Sequence, residues 1–444
     1  MTTTGLNEDK RTSNMALWGI LIFGFALRAA YVLSVRVLPW SDMALWDEYR
    51  LSILHGLPYP VGWTPLYPAL LALLTKLFGE SYLIFNMANA FFSALTCLYI
   101  YLCAKEVFGR KTAYISLLIS AVYIDMIWYC GVMLAETFTI FLLTVLVYNI
   151  IKNGSPIVSG IIFGLTCLTK GSFLICLPAL LFWIHYKYKT EGWFKKAALF
   201  SVFAFLVILP WSIRNVTGIK TTLFLKTTIL IEPTWAETIF AGHNPYATGG
   251  PDFYFLKHEY SKFYTDPSLS PVERNRIFLK KALEFALANP LREFQLTLLK
   301  ISKHLTFATS FVLYRADYPA RKVMYVLSLL ENMVIFPLCI LGFVFSFRDK
   351  NAIGFAAIIT VFIGLFVTLF CAEVRKRMPF VPYMLILASY GATLLPGIIA
   401  GIKKRETGEM RGRLMIAAVL SSLLFLNFFY QVATRYRDVL QRFY

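Results

Sequence analysis

Charge is scarce in this sequence. Only 15% of the 444 residues are Asp, Glu, Lys or Arg, against about 25% in soluble globular domains. A chain so poor in charge lacks the polar surface to cover itself in water. With 58% hydrophobic and 16% aromatic residues, the composition excludes disorder, collagen, a coiled coil and a disulfide scaffold. Histidine is scarcer still: the five present are scattered without metal-ligand spacing. The seven cysteines lie inside apolar stretches with no Cys-x-x-Cys pair, which argues against a zinc or redox framework. Internal repeats and low-complexity segments are missing too. Long apolar runs are abundant, and the mean hydropathy is +0.63. The composition is that of a polytopic membrane protein.

Acidic residues are also few, 25 against 43 Lys and Arg, for a net charge of +18. The location of that excess matters more than its size. A nucleic-acid binder gathers basic residues on one soluble face, whereas basic clusters between apolar spans mark cytoplasmic loops. No nucleic-acid partner is expected.

Apolar runs of about 18 to 25 residues predict transmembrane helices. They fall near 16–38, 81–104, 112–130, 132–151, 155–170, 171–187, 195–213, 322–347, 352–372, 378–400 and 411–431. The expected fold is thus all-α, a bundle of about 11 spans (range 11–13) with juxtamembrane helices. The short runs at 155–187, with Lys170-Gly171 between them, are read as a hairpin rather than one kinked helix, because the charges then alternate. With the N-terminus cytoplasmic, Lys105/Arg110/Lys111, Lys152, Lys187/Lys189/Lys195/Lys196, Arg348/Lys350 and Lys403/Lys404/Arg405 all lie inside. The first span reads as an uncleaved anchor in a bacterial inner or plasma membrane.

This parity places 39–80, 214–321 and the turn at 373–377 outside, and divides the chain into 1–213, 214–321 and 322–444. The stretch 65–79 is too short to span and is expected to be interfacial or re-entrant. In 214–321, Ser270-Pro271-Val272-Glu273 predicts a capped helix start. That helix should stop near Ala288, before Asn289-Pro290. A second amphipathic stretch, 291–312, carries Arg292, Lys300, Lys303 and His304.

Ionisable groups in or beside membrane spans are costly and so are candidates for function. Asp42, Asp47 and Glu48 follow the first span. Helical spacing puts Asp42 on one face with Trp46 and turns Asp47 and Glu48 partly away. Glu136 opens an otherwise uncharged span and needs a cation, while Asp125 near the end of the preceding span should only add repulsion. Lys170, Arg214 and the run Arg375-Lys376-Arg377 are placed outside, against the positive-inside trend, which points to an anionic target. The fork of arginine suits phosphate oxygens, and lysine supplies a point charge. His243 and Asn244 sit in the glycine-bearing segment 241–250.

A carboxylate cluster and a basic cluster on one face suggest chemistry on a membrane-anchored phosphate. A polyprenyl phosphate leaves with its charge neutralised by Lys and Arg, without a general acid. The acceptor hydroxyl needs one carboxylate base, and a one-step displacement inverts the anomeric carbon.

These pieces resemble the GT-C glycosyltransferases, in particular the group of protein O-mannosyltransferases and bacterial lipid A aminoarabinose transferases. The resemblance runs through SDMALW…LSILHG, TPLYPALLALLTKLFG, FGRKTAYISLL, the Leu-Ala-Glu of MLAETF, GLTCLTKG, PWSIRN, NPYATGG and EVRKRMPFVPYMLILASYG. It implies transfer of a sugar from an undecaprenyl or dolichyl phosphate donor to a lipid, glycan or protein acceptor on the extracytoplasmic side. It also implies Asp42 as catalytic aspartate, Glu136 as the acidic residue at the outer end of its span, and Lys170, Arg214, Arg375 and Arg377 near the lipid phosphate. The chain departs from the aminoarabinose transferases at Trp63-Thr64-Pro65-Leu66, where they carry a basic residue before Pro-Leu. Acceptor selection is expected to fall to 215–321. No cofactor is expected. Three alternatives stay open: a transporter or flippase of lipid-linked sugar, a divalent-metal-dependent oligosaccharyltransferase using Asp42, Asp47 or Glu48 as ligands, and a catalytically silent member of the family.

Overall fold

The computed structural model describes residues 3–35, 39–59, 63–189, 192–218, 235–250, 260–307, 321–347, 369–404 and 410–434, with positions 258, 355, 360, 364 and 408. The architecture is all-helical, with no strand among the described residues. Helices α1 (Thr3–Ser34), α2 (Asp42–His55), α3 (Leu66–Phe78), α4 (Tyr82–Phe108), α5 (Arg110–Val122), α6 (Ile124–Trp128) and α7 (Glu136–Ile151) form the first part. They are followed by α8 (Pro156–Thr169), α9 (Leu177–Lys187), α10 (Trp193–Gly218), α11 (Trp235–Gly242), α12 (Ser261–Thr265), α13 (Pro271–Ala288) and α14 (Pro290–His304). The last are α15 (Arg321–Ser346), α16 (Val381–Lys404) and α17 (Met410–Thr434).

Among the described residues, six helices are long and apolar enough to cross a membrane: those within α1, α4, α10, α15, α16 and α17. The pair α5–α6, bent by 50°, makes a seventh if it counts as one span. The other expected spans fall on the shorter apolar helices α7, α8 and the segment Gly171–Lys187, or on 352–372, which lies mostly outside the described residues. The chain is an integral membrane protein.

Small residues set the close helix contacts, as expected where lipid supplies no hydrophobic drive between helices. Gly160 and Gly164 of α8 lie against the backbone of α10, where an added Cβ would sit 2.3 Å from the Phe200 carbonyl oxygen. Gly342 of α15 meets the Leu387 carbonyl of α16 in the same way. At Lys170 the chain turns extended, and Lys187 Nζ donates to the carbonyls of Ile150 and Ile151. The end of α9 is therefore back beside the end of α7, and 155–187 is a hairpin.

The break between α5 and α6 is held from both sides. Fully buried Arg28 donates to the Ser120 and Ala121 carbonyls (both 2.8 Å), which the end of α5 leaves without helical partners. Glu331 of α15 accepts from the Ile124 N–H (2.9 Å), the first donor of α6. Beyond the break the chain rises through Gly131 and Val132, whose carbonyls accept from Asn86 (3.1 Å) and Asn89 (2.9 Å) of α4. That path delivers Glu136 to the first turn of α7.

Ser270 caps α13 through a reciprocal box with Glu273, Pro271 is its first residue, and the helix ends at Ala288 as its sequence predicts. The predicted 291–312 helix is shorter in fact: α14 ends at His304, and 308–312 lie outside the described residues. The expected interfacial stretch 65–79 is the 13-residue helix α3.

Candidate active site

Four elements remote in sequence meet at one end of the bundle. Asp42 starts α2, Glu136 starts α7, Lys170 follows α8, and Arg375 sits in the 3-10 segment Val374–Phe380 ahead of α16. They line a cavity of about 350 Å³ together with Trp46, Trp63, Thr64, Thr238, Cys371, Glu373 and Lys376.

Arg375 organises it. Its Nη1 donates to Asp42 Oδ2 at 2.5 Å, and its Nε lies 3.1 Å from Glu373 Oε1 and 3.6 Å from Glu136 Oε1. Lys170 Nζ donates to Glu136 Oε1 at 3.2 Å. Glu136 is buried, so these two cations, with the positive end of α7, make its charge tolerable. Asp42 is a third exposed and Lys170 about a quarter, so both remain reachable from the cavity. The lining holds three acids (Asp42, Glu136, Glu373) and three cations (Lys170, Arg375, Lys376). An incoming anion therefore competes with carboxylates for cations already in place.

The framing is equally specific. Thr64 donates to the Thr169 carbonyl (2.9 Å), tying the Trp63 loop to the end of α8 beside Lys170. Trp46 and Trp63 meet edge to face at 5.3 Å, giving the cavity an aromatic wall. Ser41, immediately before Asp42, has φ 51° and ψ −128°, a strained backbone for a residue with a Cβ.

Asp42 and Trp46 share the cavity face, as their spacing predicts, and Asp47 and Glu48 do not. Asp47 accepts from Arg50 Nε (2.8 Å) and the Tyr82 hydroxyl (2.9 Å), and Glu48 is exposed. Arg50 is fully buried and also reaches Glu80 (2.8 Å) and Thr75 (3.2 Å), locking α2 onto α3 and α4. Asp42, Asp47 and Glu48 therefore do not converge on one point. Among the described residues, no group of three or more His, Cys, Asp or Glu side chains is placed to hold a metal ion, so the three-acid ligand set does not fit.

The remaining candidates lie outside the cavity lining. Arg214 stacks over Trp211 (4.9 Å) and donates to the Tyr59 carbonyl. His243 bridges Glu293 (Nδ1, 2.8 Å) and Lys300 (Nε2, 2.9 Å) of α14. Asn244 is buried and bonds its own loop, donating to the Phe240 carbonyl and accepting from the Tyr246 N–H. Arg377 turns away from Arg375: it donates to the His304 and Thr306 carbonyls (3.1 and 2.6 Å), with Nη2 3.8 Å from Asp125 Oδ2. Asp125 thus has its own cation and a hydroxyl donor, Ser328 (2.7 Å). The repulsion with Glu136 expected from sequence is replaced by a separate pair. Lys376, which the sequence marks with its two arginine neighbours as an outer charge, lines the cavity as well, whereas Glu373 went unnoticed in the sequence although it belongs to the same EVRKRMPF motif.

The segment 241–250 reaches the site through backbone. The Gly249 carbonyl accepts from the Ala372 N–H (2.8 Å), next to Glu373. Lys300, fully buried behind this loop, has its ammonium pKa lowered by burial to about 8.

This geometry can be set beside known proteins. Residues 60–213 match the family described as dolichyl-phosphate-mannose-protein mannosyltransferase. Across 96% of the chain, the structure superposes on the oligosaccharyltransferase AglB from Archaeoglobus fulgidus, solved with an inhibitory peptide and a dolichol phosphate. That match has a TM-score of 0.53 and 15% identity. The apo form of the Archaeoglobus fulgidus oligosaccharyltransferase matches over 92% of the chain, with a TM-score of 0.51 and 13% identity. The chain has the GT-C fold. It spans 56% and 55% of the length of these two archaeal chains. A further match, with a TM-score of 0.42 and 13% identity, is ArnT from Cupriavidus metallidurans bound to undecaprenyl phosphate, covering 92% of this chain and 81% of that one. No curated protein matches the chain.

Proposed function

We propose that this GT-C protein is a glycosyltransferase that moves a sugar from a polyprenyl phosphate to an acceptor hydroxyl, with Asp42 as general base and inversion at the anomeric carbon. One observation carries the reading: Asp42, Glu136, Lys170 and Arg375 converge from four separate elements on a single cavity at the end of the spans. The family match over 60–213 supports the donor class.

The ion pairs suggest an order of events. In the resting site Arg375 holds Asp42, and Lys170 holds Glu136. The donor phosphate draws Arg375 and Lys170 toward its oxygens, with Lys376 close behind, and so frees the Asp42 carboxylate. Asp42 then accepts the acceptor's proton as the new C–O bond forms. The C–O bond to phosphate breaks on the opposite face, and the two cations stabilise the departing charge. Glu136 keeps Lys170 and Arg375 poised, and Glu373 steadies Arg375.

The site lies on the extracytoplasmic side, with the N-terminus cytoplasmic in a bacterial inner or plasma membrane. Supporting this, Lys105, Arg110, Lys111, Lys152, Lys187, Lys195, Lys196, Lys403 and Lys404 sit at the helix ends away from the cavity. The test is a transfer assay in lipid nanodiscs with a panel of polyprenyl-phosphate sugars. The expected result is release of polyprenyl phosphate that requires Asp42. Failure of any polyprenyl phosphate to bind, or full activity in Asp42→Asn, overturns the reading.

The fold likeness to an oligosaccharyltransferase favours a second reading, transfer of a lipid-linked oligosaccharide with a divalent ion on the acids after the first span. The dispersal of Asp42, Asp47 and Glu48 speaks against that ligand set. A chelator that abolishes transfer, with magnesium or manganese restoring it, would favour this reading over the first.

A further inference from the structure

Helix α14 is amphipathic in the wrong sense for a helix that faces water. All four of its charged side chains turn toward the protein. Arg292 donates to the Ala247 carbonyl (3.1 Å), Lys303 to Thr248 (3.3 Å), and Glu293 and Lys300 both bind His243. The outward face carries Leu291, Phe294, Leu298, Ile301 and Leu305, all exposed, with Leu291 at 80%. Their spacing of three and four residues makes one continuous apolar stripe. Leu287 at the end of α13 extends it, 82% exposed. In water the charged residues would occupy the outer face.

The position of the helix indicates what it faces. Ser302 of α14 bonds Asn427, and its carbonyl accepts from Asn427 (3.0 Å) and Gln431 (2.7 Å) in the last turns of α17. Phe307, just past α14, packs on Phe425 and Phe428 at 5.0 and 5.2 Å. Helix α17 is a candidate span only 11% buried, with Leu423, Leu426 and Phe429 turned outward. The stripe therefore continues a surface that already faces lipid, at the level where α17 leaves the membrane.

We propose that the stripe on α14 is a membrane-seated face, with Leu291 to Leu305 inserted at the boundary between headgroups and acyl chains of the leaflet on the cavity side. The occupant of this face is lipid, not a second protein. The inference stands apart from the sugar-transfer reading, since it uses neither the cavity nor the donor.

Nitroxide labels at single cysteines test it in nanodiscs of phosphatidylethanolamine and phosphatidylglycerol, with the seven native cysteines replaced. Labels would be placed at Phe294, Leu298 and Ile301, and at Lys280 on α13 as the exposed control. The expected result is relaxation by oxygen over a water-soluble nickel chelate at the three stripe positions, at a ratio several-fold above that at Lys280. Nickel-favoured relaxation at the stripe overturns the proposal. So does spin–spin broadening that disappears on dilution with unlabelled protein, because a second copy then covers the face. If replacing the cysteines impairs folding, Leu298→Trp in the native background gives the same answer. Its added fluorescence should be quenched by brominated lipid and not by acrylamide, and the reverse pattern overturns the proposal.

Discussion

Arg375 and Arg377 stand two residues apart in one motif and look interchangeable in the sequence. The fold sends them in opposite directions. Arg375 lies in the cavity, 22% exposed, shared among Asp42, Glu136 and Glu373. Arg377 is buried, 4% exposed, bound to carbonyls at the C-terminal end of α14 and facing Asp125. Two residues along a 3-10 segment is about two-thirds of a turn, or 240°, enough to aim one guanidinium at the cavity and the other into the packing. The lesson is that a charge displaced from its usual side of the membrane has two possible uses. It can grip a ligand, or it can close a seam between helices.

Four experiments bear on that contrast. The largest effect is expected at the carboxylate Arg375 holds. Asp42→Asn keeps the size of the side chain and removes the proton acceptor, so transfer should fall about 10²- to 10⁴-fold. Binding of the polyprenyl phosphate should be nearly unchanged. Asp47→Asn should leave the chemical step intact, and the opposite ranking of the two variants would sink the assignment.

Next come the two arginines themselves. Arg377→Ala strands Asp125 in the packing and frees two carbonyls, so it should destabilise the fold by about 3–5 kcal/mol, read by thermal unfolding in detergent. Replacing both partners, Arg377→Met with Asp125→Asn, should recover part of that loss. Arg375→Ala should weaken polyprenyl-phosphate binding with a much smaller change in melting temperature, and Arg375→Lys should not restore it fully, since the fork is lost. Equal effects of the two alanine variants on stability would erase the contrast.

The third test is pH. His304, whose carbonyl receives Arg377, has its imidazole pKa pushed down to about 3 by burial and by nearby Arg377, Lys376 and Lys300. The folded state keeps His304 neutral, whereas the unfolded chain protonates it below the ordinary value of 6.5. Its contribution to stability is therefore complete above 6.5 and is lost as pH falls from there toward about 3. The slope is at most about 1.4 kcal/mol per pH unit. His304→Gln should flatten the melting profile across that window, and an unchanged slope would assign it to other groups.

The smallest effect is expected at the strained residue before Asp42. Ser41→Gly relieves a positive φ and should raise stability by about 1 kcal/mol or less. A loss of stability would mean that the Ser41 side chain holds α2 in a way its backbone does not show.

Much of the fold was legible because hydropathy and capping are local. Six of the expected spans, the box that starts α13 and the reversal at Lys170 were each readable from residues close in sequence. The break after α5 was not, because its supports come from Arg28 and Glu331, 92 and 207 residues distant from the atoms they cap. The candidate residues were half legible in the same sense. Asp42, Glu136, Lys170 and Arg375 were singled out as charges out of place, and the structure brings these four together. Arg214 and Arg377 carried the same signal, and His243 and Asn244 were drawn from a glycine-bearing segment, yet the partners of these four are backbone groups, α14 and Asp125.

What the sequence alone determined is the solvent of the chain. Its scarcity of charge and its apolar runs require a bilayer, and a bilayer requires helices that satisfy their own backbone. It also determined which charges needed partners, because an ion in or beside the membrane must be paired. Only the tertiary structure decided which partner each one received. Pairing depends on distance and direction across elements hundreds of residues apart, and helical periodicity fixes direction only within one element.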